Sequence, residues 1–516
     1  MQTEKEYMAG REVLGLRCES TGEYSLPDYN GDVRKVLLVR PKVFPTGKFV
    51  GDGVLELSGI VEYEVLYLDS ENVLTRAQFS TDYDAALRIN PETYVDSDVA
   101  TEISSYSARL TGPRRFSVKA TLDSTVAISE SRMLTVGGDA FMEYEPEYVG
   151  ESAKVLSMAF ASADARELTE EMLTLDGAIA DEIEILLTDA HATASAESLS
   201  DVGLTVKGCV KVDMLYAKAD GDPIRIEKEI LYSEEVSLGE ATDFDDVTTR
   251  LEITSIKSGV VPTEDGVRIT CAVSVTPRVR AKRNTIVNLV SDAFLKERGS
   301  ENEYGDFAYT EHVCAECREE RHEHKHSLSE LDVTGITAVL YPCASARVDS
   351  CTADVDTVKI GGEIRFSAVA VQEDSDGTRI CTPVKFSAPF EQNVNLGCQI
   401  TDDMHIICHA DVRDISMNVD ADHIDSSFLI CASVSVTADR KRRCLTASFV
   451  TDEEYAHDGS VVTVYYPDAS ESLFEIARRF HTSTRSIAES NRLTETVFSS
   501  TTGSLGTLGV TKLIIR

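Results

Sequence analysis

The chain has 516 residues, of which 42% are hydrophobic, and a formal charge of −38. That hydrophobic content is enough for real cores and argues against global disorder; at about 150 residues per domain the length implies three or four domains. The charge argues against nucleic acid, whose phosphates need a cationic face, and against adhesion to anionic lipid; it reads either as solubility with self-repulsion or as a docking surface for a basic partner.

The N-terminal stretch from Met1 to Tyr7 is charged and has no apolar run behind it, so no signal peptide is expected. No segment approaches the ~18 uninterrupted apolar residues of a membrane span. An intracellular protein is the expectation. The twelve cysteines include Cys209, Cys271 and Cys431 inside β-rich runs, and their spacing does not recur along the chain. Free thiols serving as small hydrophobes are therefore expected.

One spacing rule recurs three times. Val36-Leu37, Ile185-Leu186 and Val339-Leu340 precede Gly59, Gly208 and Gly362 by the same 23 and 22 residues, and the glycines lie 149 and 154 residues apart. Each glycine opens an apolar run rich in β-formers, such as Gly59-Ile-Val-Glu-Tyr-Glu-Val-Leu-Tyr67. An aromatic-Ser pair follows at Phe79-Ser80, Tyr232-Ser233 and Phe386-Ser387, with another apolar residue four further on. The fold class expected is mainly β: three tandem β-sandwich-like modules followed by a small β-α-α-β unit. The expected boundaries are 1–145, 146–305, 306–455 and 456–516.

In module one, Leu26 to Val36 reads as a turn into a short helix or strand. Gly47 and Gly51-Asp-Gly53 read as hairpin turns, and Val54 to Tyr67 as strand. The closing strand Phe116–Leu122 has counterparts at Val267–Val275 and Phe428–Val436, each alternating at period two as in an antiparallel sheet with one solvated face. Ala163 to Leu173 reads as an amphipathic helix entering module two. The segment joining modules two and three holds His312, Cys314, Cys317, His322, His324 and His326. Cys314, Cys317, His322 and His324 form a candidate zinc half-site; the alternatives are a linker or exposed strand, or a redox dithiol.

The tail changes character. Val461 to Tyr466 reads as a short strand, and Ser470 or Ser472 as the cap of a helix carrying Leu473, Ile476, Ala477 and Phe480. His481 to Ser483 reads as a turn, Ile487 and Ala488 mark a second helix ending near Asn491, and Thr511 to Ile515 closes as strand. From Gly459 onward there are six Lys/Arg and five Asp/Glu, so the unit is nearly neutral on a strongly acidic chain.

With these pieces in place, the tail resembles a LysM domain, through the Thr463-Val464 strand, the Leu473-Phe-Glu-Ile-Ala-Arg-Arg-Phe480 helix, the Ser486-Ile-Ala-Glu-Ser-Asn491 helix and the Lys512-Leu-Ile-Ile515 strand. The upstream modules resemble SPOCS domains, through Leu26-Pro-Asp-Tyr29, the Val36-Leu37 start, the glycine-led strand and the Phe-Ser strand. This domain order resembles the SipL-like family of clostridial spore-coat morphogenetic proteins. The resemblance implies a non-enzymatic adaptor in the mother-cell cytoplasm, attaching coat to the forespore surface by binding a SpoIVA-type coat ATPase through the LysM-like tail.

The tail departs from the LysM pattern. Its loop Pro467-Asp-Ala-Ser-Glu-Ser-Leu473 is two residues longer than the usual Pro-Gly-Asp-Thr-Leu type and lacks the glycine that permits close backbone approach to a sugar. The stretch from Asn491 to Lys512, with Gly503, Gly506 and Gly509, lacks the usual Pro-Gly. These changes favour protein over glycan, and the alternative function is binding of peptidoglycan N-acetylglucosamine in cell wall or cortex. Candidate partner-binding residues are Tyr465, Tyr466, Arg478, Arg479, Arg485, Asn491 and Arg492, Arg and Tyr being the types that most often dominate interfaces. The sequence has no Gly-x-x-x-x-Gly-Lys-[Ser/Thr], His-Glu-x-x-His or Gly-x-Ser-x-Gly motif. No catalytic residue and no cofactor beyond the candidate zinc is expected.

Overall fold

Long runs of β-branched and aromatic residues with period-two burial build this chain almost entirely from antiparallel strands. A computed structural model describes residues 4–28, 30–200, 203–218, 222–239, 243–331, 333, 335–373, 379–420, 422–455, 462–468, 470–493 and 510–515. The first six strands are β1 (Glu4–Ser25), β2 (Val33–Gly51), β3 (Val54–Asp69), β4 (Leu74–Arg88), β5 (Tyr94–Gly112) and β6 (Arg115–Thr135). They form two three-stranded sheets, ordered β1-β6-β5 and β2-β3-β4. After a short helix α1 (Asp139–Glu143) come β7 (Glu147–Ser162), β8 (Arg166–Asp176), β9 (Ile183–Ser200), β10 (Gly203–Lys218), β11 (Ile224–Val236), β12 (Asp246–Pro262) and β13 (Gly266–Phe294). The third set is β14 (Arg298–Ser327), β15 (Ile336–Ala353), β16 (Thr357–Glu373), β17 (Arg379–Asn395), β18 (Met404–Asp420) and β19 (His423–Glu454).

The pairing order of the first set returns in the others. β9-β10-β11 and β15-β16-β17 are meanders like β2-β3-β4, while β12-β13-β7 and β14-β19-β18 match β1-β6-β5. In the second set the first strand is split, β7 pairing with the end of β13 and β8 with its start. The third set begins with β14 at Arg298, so the boundary expected at 305/306 falls inside a strand. The histidine-bearing segment is that strand rather than a linker.

Within each set the two sheets bury their apolar faces on each other. In the first set, Val61, Tyr63, Val65 and Tyr67 of β3 pack with Phe116, Val118, Ala120 and Leu122 of β6. β10 packs on β13 and β16 on β19 in the same way. On β13 the residues Val267, Ile269, Cys271, Val273 and Val275 are all at most 1% exposed, which is the two-residue period of a strand with one face in a core.

The three glycines stand at the sixth position of β3, β10 and β16. A Cβ on Gly59, Gly208 or Gly362 would sit 2.6, 2.2 or 2.0 Å from a carbonyl oxygen of the neighbouring strand, that of Phe44, Thr193 or Arg347. Close approach of two backbones explains the recurrence. The residues facing them across the meander are Tyr83, Tyr232 and Phe390. Tyr232 therefore corresponds to Tyr83, and not to Phe79 as the aromatic-Ser spacing suggested. In the third set the hairpin runs further, and the offset grows with it.

Leu37, Leu186 and Leu340 are skipped by the strand registers and are β-bulge residues on β2, β9 and β15. All three belong to one cluster with Leu38, Leu66, Leu68, Leu187, Leu215, Tyr341, Cys343 and Val369, so the three meanders meet at a shared apolar junction. Beside it lie charges. Arg40 pairs with Asp189, and the buried Lys42 ammonium with Glu64 at 2.6 Å. Arg225 grips Asp213 at 2.6 Å. His191 is 64% accessible at its side chain, yet the surrounding protein and then Arg40 push its pKa down to about 4.

A second junction joins the other sheets through Ala9, Ala153, Val155, Val287, Leu289, Phe307 and Cys444. There Asp98 accepts from Arg250 at 2.7 Å and Arg280 at 2.9 Å, while Glu12 pairs with Arg280 and Lys282, both at 3.1 Å. Burial alone would raise the Asp98 carboxyl; the two guanidinium groups overcome it and pull the pKa down to about 2.

Several expectations change. Ala163–Leu173 is no helix: Arg166–Asp176 is β8, because Leu168 and Met172 share one face of a strand as readily as of a helix and β13 offers an open backbone edge. Gly47 lies within β2, next to a bulge. The Asp52-Gly53 turn joins β2 to β3 with φ 49 and 76°, the conformation of a tight hairpin. Tyr29 lies outside the described residues. Four cysteines are paired, Cys314 with Cys398 and Cys351 with Cys408, both within the third set, and eight are free.

Two outcomes follow from this packing. Gly362→Ala drives its methyl against the Arg347 carbonyl and should destabilise the chain by about 1–3 kcal/mol, the cost of overpacking, read as a shift in the urea midpoint; an unchanged midpoint would refute the close approach. Thiol titration of the denatured, unreduced chain should count eight groups, and twelve after reduction.

Candidate functional site: the C-terminal unit and its seat

The tail is β20 (Thr463–Tyr465), α2 (Leu473–Arg479), α3 (Thr484–Asn491) and β21 (Leu513–Ile515), with β20 and β21 antiparallel. Of the two serines considered as caps, Ser472 caps α2. Its hydroxyl accepts from the Glu475 N–H, and Glu475 accepts in return from the Ser472 N–H at 2.8 Å, a capping box. Ser483 caps α3. Leu473, Ile476, Ala477, Ile487, Ala488, Leu513 and Ile515 form the core. Val461 and Gly503, Gly506 and Gly509 lie outside the described residues.

The tail is seated on the body. Val149 of β7 and Phe294 of β13 belong to the same apolar cluster as the tail core. Phe474 is only 4% exposed, and its ring meets Phe294 edge-on at 5.2 Å. Arg478 donates to Asp292 Oδ1 at 2.6 Å and to the Ala293 carbonyl at 2.8 Å. Its guanidinium also lies over the rings of Phe294 and Phe474. The Thr484 hydroxyl donates to Glu147 at 3.0 Å, and Tyr455 stacks on His481. A cleft of about 300 Å³ runs along the seam, lined by residues that include Phe294, Tyr304, Tyr455, Arg478 and His481.

The seven partner-binding candidates separate. Arg478 is engaged with the body. Asn491 holds the unit together, donating to the Ile487 and Ile514 carbonyls and accepting from the Ile514 N–H at 2.6 Å. Tyr465 is half-buried against Phe480, donates to Glu471 and lies under the Arg479 guanidinium. Arg479 pairs with Glu471 at 2.6 Å and Arg485 with Glu489 at 2.8 Å. Tyr466 is 69% exposed, and Arg492 caps α3 in the left-handed region with its side chain at the surface.

Phe480, expected on the buried face of α2, is its C-cap and half-buried. The buried aromatic beyond the expected stripe is Phe474. By helical period it lies on the flank of the core stripe, next to Ala477, and with Arg478 four residues on it forms one flank turned toward the body. A phenylalanine outside an amphipathic stripe is the signal that was available.

The candidate zinc residues are not brought together. Cys314 is bonded to Cys398, while Cys317, three positions on, is exposed. His322 stacks on Phe428, and His324 lies beside His326. All lie along β14, where a rise of about 3.3 Å per residue separates Cys314 from His322 by roughly 26 Å. Among the described residues no group of three or more His, Cys, Asp or Glu is placed to hold a metal ion, and no helix is long and apolar enough to cross a membrane.

The seat carries a pH signature. Burial would raise the Asp292 carboxyl, but hydrogen bonds from Arg478 and Tyr304 hold it below the usual carboxylate range. A depressed carboxyl contributes stability that is present above its ordinary value of about 4 and is lost as pH falls through the lower, folded one. The stability difference between wild type and Asp292→Asn should therefore be constant above that range and shrink below it. Denaturation across pH checks this; a pH-independent difference would show that Asp292 is not held by Arg478.

No family model matches this chain, and neither does any curated protein at a significant level.

Proposed function

We propose that this chain is a non-enzymatic assembly adaptor of endospore coat formation, in the manner of the SipL-like family it resembles. Its three strand sets are read as tandem SPOCS-like modules and its tail as a LysM-like unit that binds a SpoIVA-type coat ATPase at the forespore surface of the mother cell. The observation that carries the reading is the contrast between body and tail. A nearly neutral β-α-α-β unit closes a chain of −38. Like-charged bodies repel, so contact with a partner is least opposed where the charge is absent.

Protein rather than glycan suits the loop before α2. Glu471 accepts from the Asp468 N–H at 3.0 Å and from Tyr465, and pairs with Arg479, so that this carboxylate is engaged within the tail rather than turned to a ligand. The three-way junctions support a scaffold role, since they fix the three sets as one support for the tail.

The test compares the full chain with one ending at residue 455, each offered a purified SpoIVA-type ATPase and insoluble peptidoglycan. The full chain should retain the ATPase, the shortened chain should lose it, and peptidoglycan should stay at background for both. Equal ATPase capture by the two would move the contact to the body. Retention on peptidoglycan only with the tail present would establish the glycan reading instead.

A further inference from the structure

One flank of α2 is covered by the body. Leu473, Ile476 and Ala477 face the tail's own core, while Phe474, at the edge of that core, and Arg478 form the flank covered by the body. Without that cover, a phenylalanine and an arginine one turn apart would be open to solvent, and both residue types are enriched at protein interfaces. What covers them is a ring and a carboxylate two residues apart on one strand end, Phe294 and Asp292. The seam is not close-packed: a cleft of about 300 Å³ lies along it. Junctions between units of one chain that are small and partly polar default to relative motion.

We propose that the Phe474–Arg478 face binds a protein partner presenting an aromatic ring beside a carboxylate, and that Phe294 and Asp292 occupy this face until such a partner displaces them. The second half rests on the adaptor reading; the first does not. A partner with this chemistry satisfies Arg478 with a charge-assisted hydrogen bond and buries Phe474 against a ring, so exchange of one cover for the other leaves no group unpaired. The body thereby sets a threshold that any partner must exceed, since binding is weakened by the fraction of chains with the seat closed.

Two measurements on the full chain test this. The first uses a labelled peptide spanning Asn288–Lys296, which carries the ring and the carboxylate, with amide exchange of α2 reporting whether the seat is open. Phe294→Ala should speed exchange and bind the peptide on the order of tenfold more tightly than wild type, a difference of about 1.4 kcal/mol, and adding Arg478→Ala should cancel the gain. Asp292→Asn provides the same comparison if Phe294→Ala does not fold. An opened seat that binds the peptide no better than wild type overturns the docking face.

The second measurement offers the same variants the SpoIVA-type ATPase. Greater capture by Phe294→Ala than by wild type, lost again with Arg478→Ala, supports displacement. Equal capture by all variants overturns displacement and leaves the adaptor reading standing. Peptide binding as expected with no ATPase capture by any variant sinks the adaptor reading and leaves the docking face in place.

Discussion

The meeting of three bulged leucines is the constraint on which the rest of the body depends. A β-bulge places an extra residue against one partner and bends the strand. In β2, β9 and β15 the bulge sets Leu37, Leu186 and Leu340 into one apolar cluster rather than three separate edges. An edge strand with a leucine exposed on it is an aggregation hazard; three of them turned inward cancel one another. Each set already has its own two-sheet core, so this junction, with the second one around Ala9, Val287 and Phe307, is what makes one body of three.

Similar units meeting at one point raise a question of order, because apolar contact alone scarcely distinguishes one neighbour from another. The charges at the two junctions make that distinction. Arg40 of the first set faces Asp189 of the second, and Asp98 of the first takes both Arg250 and Arg280 of the second. Removing one partner of such a buried pair costs about 3–5 kcal/mol, so an exchange of sets that left them unpaired would be strongly disfavoured. The ion pairs need not add net stability to act as registry, a role in which buried polar groups are well attested.

How much of this was legible in the sequence depended on which interaction left a periodic trace. The glycines did, because backbone contact tolerates no side chain and Gly59, Gly208 and Gly362 recur at a constant distance from the bulge leucines. The strands of β6, β13 and β19 did, through period two. The split of the second set's first strand did not: the Leu168 and Met172 spacing suits helix and strand equally, and only the free edge of β13 decides between them. The pairing of Cys314 with Cys398 joins residues 84 apart, a separation that no local pattern records. At the candidate site, the caps and the core of α2 were legible because they are local, whereas the seat was not, because Asp292 and Arg478 are far apart in the chain.

The two kinds of contact in this molecule differ in a way that bears on what can move. The leucine junction is apolar and largely buried, and truncating one of its buried members leaves a cavity with the penalty that large-to-small core changes carry. The tail's seat is two ring pairs, one charged pair and a few hydrogen bonds beside an open cleft. Water can replace each of its polar contacts at modest net cost, and few side chains, Phe474, Phe294 and Val149 among them, lose apolar cover when it opens. Both elements are held by their own internal bonds, the body by its ladders and the tail by its capping box and the Asn491 bridge from α3 to β21. The seam between them is therefore where this chain can part without unfolding either side. The body's carboxylates favour that separation least where the neutral tail rests against it, so the tail's lack of charge and its seat are two aspects of one arrangement.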